Sequence, residues 1–107
     1  MVTWRPGMPL SDDTLVVTSP RVLTDGEPVT LVIHQHDGTW QFVEGSTVEE
    51  GDALVVHFLD LLRRDGGLEA LRRLRRGQLA LRPLVGDQPW EIHPFGSDEE
   101  LDSLFSG

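Results

Sequence analysis

The chain contains no cysteine and no lysine. Without thiols, disulfide staples, thiolate nucleophiles and cysteine-ligated metal centres are excluded. Without lysine, every cation is an arginine, a bias that a GC-rich coding sequence produces. No apolar run approaches the roughly 20 residues needed to span a bilayer. The opening residues MVTWRPGMPLSDD also lack the charged-then-apolar order of a signal peptide, so the expected location is cytoplasmic. Catalytic signatures are missing as well: there is no GxSxG elbow, no phosphate-cradling glycine loop, and no HExxH or DxD motif. The expectation is a protein that is not an enzyme and needs no cofactor.

What the chain does contain is a balanced composition, with 38% hydrophobic and 25% charged residues over 107 positions. That fits one globular domain spanning 1–107. Residues 1–12 read as an N-terminal arm, and 97–107 as an acidic tail or short helix. The net charge is −9 and unevenly spread. Six of the nine arginines lie in residues 63–76 against two carboxylates, a local net of +4 that leaves −13 for the rest. Such an acidic body disfavours nucleic acid, whose binding draws on counterion release by cations, and suits a basic protein partner.

Local patterning supplies the elements. Residues 14–18 (TLVVT) read as a strand broken at Ser19-Pro20, with a short continuation over 21–23. Residues 29–44 (VTLVIHQHDGTWQFVE) spell a β-hairpin, with Asp37-Gly38 as a two-residue type I′ turn. That register pairs Gln35 with Trp40 and Ile33 with Phe42. It places Leu31, Ile33, Trp40 and Phe42 on a core face, and His34, His36, Gln41 and Val43 on an outer one. A strand follows at 53–57, then helices at 58–64 and 68–76, the second with Leu68, Leu71 and Leu74 on one side and Gly77 as its stop. Residues 78–84 and 90–93 are again extended, and Ser97 with Glu100 forms a capping box ahead of Leu101. The sum is an α+β fold: a largely antiparallel twisted sheet with two short helices packed on one face.

Taken together, residues 18–42, 53–82 and Trp90 resemble a small bacterial family of unknown function. The specific part is its "HD.DG.WQF" hairpin block, matched here by His36, Asp37, Gly38, Trp40, Gln41 and Phe42. A second block is matched by Leu68, Leu71, Leu74, Gly77, Ala80 and Arg82, and departs where Arg75-Arg76 replaces a Leu-Pro step and Gly66-Gly67 replaces Pro-Ser. Related domains have been proposed as immunity proteins of bacterial toxin systems. The resemblance therefore implies a protein partner and supplies no catalytic residues.

Three sets of side chains are candidates for function. His34 and His36, with His57 or His93, are the right residue type for a three-histidine zinc site, although two histidines two apart on a strand more often decorate a polar face. Trp90 and Trp4 are unconstrained by pattern, and an exposed tryptophan anchors interfaces. Arg72, Arg73 and Arg76 offer an anion-binding face, against the plainer reading of a solvated helix surface. The leading expectation is a protein-binding module, with Trp90, Arg72, Arg73 and Arg76 as partner contacts. The alternatives are a histidine-based metal protein or metal-dependent hydrolase, and a homo-oligomer (a homodimer in its simplest form) joined through the hairpin's outer face or an edge strand.

Overall fold

A computed structural model describes residues 10–45, 50–82, 89–97 and 99. Six strands, β1 (Leu15–Thr18), β2 (Leu31–His34), β3 (Trp40–Val43), β4 (Leu54–His57), β5 (Gln78–Leu81) and β6 (Glu91–Pro94), form one sheet in the order β4-β1-β3-β2-β5-β6. Every pairing is antiparallel except β1 with β3. Short helices cover one face, so the α+β expectation holds. No helix among the described residues is long and apolar enough to cross a membrane. The capping box at Ser97 and Glu100 falls largely outside the described residues.

The segment after β1 is not extended. Ser19 caps a one-turn helix, α1 (Pro20–Leu23), its hydroxyl accepting the Val22 amide, with Pro20 in the first helical position. A serine followed by proline is a helix start as readily as a strand stop, because proline's fixed φ suits the first turn. α2 (Phe58–Leu62) follows β4 without a loop, and the Asp60 carboxylate accepts the His57 amide at its start. The second predicted helix is instead a 3₁₀ helix over Gly66–Leu71, capped by Asp65, whose Oδ1 accepts the Gly67 amide. The spacing of its leucines explains the difference. Leu68 and Leu71 lie one 3₁₀ turn apart and are both buried, and Leu74, three residues beyond the end of the helix, is buried with them.

The hairpin is present, but its register differs by one from the expectation. Gln35 donates its amide to Thr39 O (2.8 Å) and accepts that of Gly38 (2.9 Å), so the loop has three residues, His36 to Gly38. Only Gly38 has positive φ (98°), as a type I turn closed by a left-handed glycine requires. Asp37 serves the turn through its side chain, accepting the Thr39 amide at 2.8 Å. His34 consequently faces Trp40, and Val32 faces Phe42. A slip of one residue sends a whole strand's side chains to the opposite face. Val32, His34, Trp40 and Phe42 share the helix side, and Leu31, Ile33, Gln41 and Val43 the other.

Two apolar clusters result. On the helix side Val16, Val22, Val32, Trp40, Phe42, Phe58, Leu61, Leu68, Leu71, Leu74 and Ala80 pack together. On the opposite face Leu31, Ile33, Val43, Leu79 and Phe95 form a smaller one. All four residues of β2 are buried, since it lies between β3 and β5 and is covered on both faces. Period-two reasoning assumes one wet face, and a central strand has none.

Candidate functional site

The four histidines are held apart. The His34 ring stacks on Trp40 with centroids 3.8 Å apart, and Nδ1 lies 2.8 Å from the Leu74 carbonyl oxygen. A carbonyl only accepts, so Nδ1 carries the proton. His36, in the turn, donates Nε2–H to Phe95 O at 2.8 Å and meets the Phe95 ring edge-on. His57 and His93 are exposed beside Asp60 and Glu91 on the two edge strands. Five strand spacings separate those edges, roughly 24 Å. Among the described residues no group of three or more histidines and carboxylates is placed to hold a metal ion. The hairpin register explains much of this: it turns His34 away from the outer face on which a shared site with His36 was expected.

Burial pushes the His34 imidazole below its ordinary 6.5, and Arg76 adds to the effect; the Leu74 hydrogen bond and Asp37 oppose it. Protonation then favours the unfolded chain. Stability is full above pH 6.5 and declines as pH falls from there to the lowered folded value. Comparing urea midpoints at about pH 5 and about pH 8 should show a smaller acid loss in His34→Gln than in the wild type. Equal losses in both proteins would refute His34 as the source.

The expected partner contacts are largely turned inward. Arg72 donates to Glu69 and Asp12 (both 2.6 Å) and to Leu10 O (2.8 Å), and lies 5.0 Å from the centre of the Phe58 ring. The bonds to Glu69 and Asp12 raise its already high pKa. Arg76 folds back over the turn, where a Cβ on Gly38 would sit 2.8 Å from its Nη2. Trp90 is half-buried, donating its indole N–H to Gly67 O at 3.1 Å, with the Arg82 guanidinium 4.3 Å from its ring centre. Arg73 alone of the four stays exposed. Trp4 lies outside the described residues. Arg82 also pairs with Asp65 and donates Nε–H to Val29 O at 3.0 Å. This network borders a cleft of about 400 Å³ floored by Val22, Pro28, Val29 and Leu61. At its mouth Arg64 already caps the Val22 and Leu23 carbonyls.

A different surface stands out. Leu15 and Val55 are each 61% exposed. They belong to adjacent strands, with Val17 opposite Val55 and Leu15 opposite His57, so Leu15, Val17, Val55 and His57 share the face away from the helices. Exposed carboxylates flank them at both ends: Asp13 and Asp60 where β1 begins and β4 ends, and Asp52 before β4. Both strands were legible as TLVVT and ALVVH, yet their adjacency was not. Compared with known proteins, the chain matches no family model, no curated protein and no solved structure.

Proposed function

We propose that this chain is a non-enzymatic protein-binding module for a basic partner, working through the Leu15–Val55 face. The observation that carries the reading is the pair of large apolar side chains exposed diagonally across two adjacent strands, on one face and flanked by carboxylates. Apolar centres with a charged rim are the anatomy of protein interfaces. The net charge of −9 would steer a cationic partner toward the chain. An inhibitor or immunity role is the concrete form that the hairpin block's family resemblance gives it.

The test is a tagged pull-down at low ionic strength from a lysate of the producing cell, with a Leu15→Glu/Val55→Glu double variant run beside it. One stoichiometric partner, retained by the wild type, weakened by salt and lost by the variant, is the expected result. An empty wild-type bait under these conditions would overturn the reading, because electrostatic steering is strongest there.

A further inference from the structure

We infer that the partner binds by adding an extended strand to the side of β4 away from β1, on which no described strand pairs; this rests on the protein-binding reading and specifies its mode. The ladder geometry identifies the free groups. Phe58 donates its amide to Thr14 O at 2.8 Å, which makes that pair hydrogen-bonded. Antiparallel pairs alternate, so Val16–Val56 and Thr18–Leu54 also exchange bonds, whereas the N–H and C=O of Val55 and His57 point away from β1. The His57 amide is already bound to Asp60. Val55 therefore presents its main-chain donor and acceptor to the side of β4 on which no described strand pairs.

The two margins of the sheet are built differently. β6 carries Glu91 and Pro94, and proline cannot donate to a ladder; charge and proline are what normally protect a free strand. β4 is LVVH, with neither device within it: its exposed Val55 lies diagonal to Leu15, whereas the exposed Ile92 of β6 stands between Glu91 and Pro94 on its own strand. An unguarded strand next to an apolar patch is the arrangement that strand addition uses: main-chain bonds hold the incoming segment, and alternate side chains select it.

Charge chooses the occupant. Asp52 and Asp60 bracket β4, and Asp13 lies beside its end; no arginine occurs between Arg21 and Arg63 in sequence. A second copy pairing antiparallel across this margin would bring Asp52 of one chain toward Asp60 of the other, on bodies that each carry −9. Like charges so placed oppose association. The surface fits an extended segment of another protein, apolar at its centre to cover Val55 and Leu15, with Lys or Arg on either side.

The probe is a capped Lys-Lys-Val-Thr-Val-Lys-Lys peptide, titrated into the isotope-labelled full chain at low ionic strength. A second peptide of the same sequence is N-methylated at the central residues, which keeps the charge and side chains but removes the main-chain donors. The expected result is resonance shifts concentrated in β4 and β1, amide exchange at Val55 slowed by about tenfold or more at saturation, and loss of binding by the methylated peptide. Equal binding of both peptides, or no protection of Val55, would overturn strand addition. A basic partner captured through the Leu15 face with Val55 still exchanging freely would do the same, yet leave the protein-binding reading standing. Protection of Val55 that appears without peptide and grows with protein concentration would make a second copy the occupant, and also overturn the inference.

Discussion

Replacing Trp40 with alanine is expected to cost about 3–5 kcal/mol, a large part of the 5–15 kcal/mol that holds a domain of this kind together. The ring is 6% exposed, lies flat on His34 at 3.8 Å, and stacks on Phe42 with centroids 6.1 Å apart. Its removal opens a cavity at the centre of the helix-side core. It also uncovers His34, whose neutral state depends on that burial, so the acid sensitivity described above should shrink along with stability. Urea unfolding followed by far-UV circular dichroism measures the first effect, and the same titration repeated with pH measures the second. Because the alanine variant is near the limit of folding, Trp40→Phe provides the control: it retains the stack and should lose markedly less. A loss below about 1 kcal/mol for Trp40→Ala would mean that the ring is not a core element, since surface substitutions stay in that range.

Arg82→Ala is the second large effect, expected at about 2–3 kcal/mol, because it takes the counter-charge from the part-buried Asp65 and also deletes a bond to a main-chain carbonyl and the cover on Trp90. The Arg82 side chain is 8% exposed and joins three parts of the chain: Asp65 at the start of the 3₁₀ helix, the Val29 carbonyl ahead of β2, and the Trp90 ring ahead of β6. Without it Asp65 keeps its bond to the Gly67 amide but loses its counter-charge. Arg82→Met, which preserves the apolar stem against Trp90, should recover part of the loss. Adding Asp65→Asn to Arg82→Ala should recover more, since the stranded charge is then gone. Denaturant midpoints across this double-mutant cycle give the coupling directly. If Arg82→Ala costs no more than about 0.5 kcal/mol, the network is ornamental, as a surface ion pair would be.

The parts of the fold that were legible in sequence are those set by neighbours along the chain. Unbroken Leu-Val-Val runs marked β1 and β4, and Asp37-Gly38 marked a turn between β2 and β3. The turn's length was not legible, because Asp-Gly serves both a two-residue I′ loop and a three-residue loop with its glycine last. That single residue decides whether His34 faces solvent or Trp40. The helix of 68–76 was misread for a related reason: leucines at every third position satisfy an amphipathic helix approximately and a 3₁₀ helix strictly. The candidate site depended on what the chain brings together from afar. Arg72 and Trp90 looked like free anchors because Asp12 lies 60 residues from Arg72, and Gly67 lies 23 from Trp90. No local pattern announces that β4 lies at the margin among the described strands, since a margin is defined by long-range pairing.

The strand order also dictates when each part of the sheet is assembled. β2 and β3 are joined by a three-residue turn, so that hairpin closes on the microsecond scale of local contacts. β1 has no such neighbour. Its parallel register joins Val17 to Gln41 and Thr18 to Phe42, each 24 residues apart, and its antiparallel register reaches from Thr18 to Leu54 and from Leu15 to His57. Closing those loops costs chain entropy before any pairing returns it. On loop length alone these pairings follow the hairpin, as does that of β2 with β5, whose partners lie 44 to 50 residues apart. A segment that adds to β4, as inferred above, would bind the folded chain and not the unfolded one, so saturating it should raise stability as well as occupy the edge.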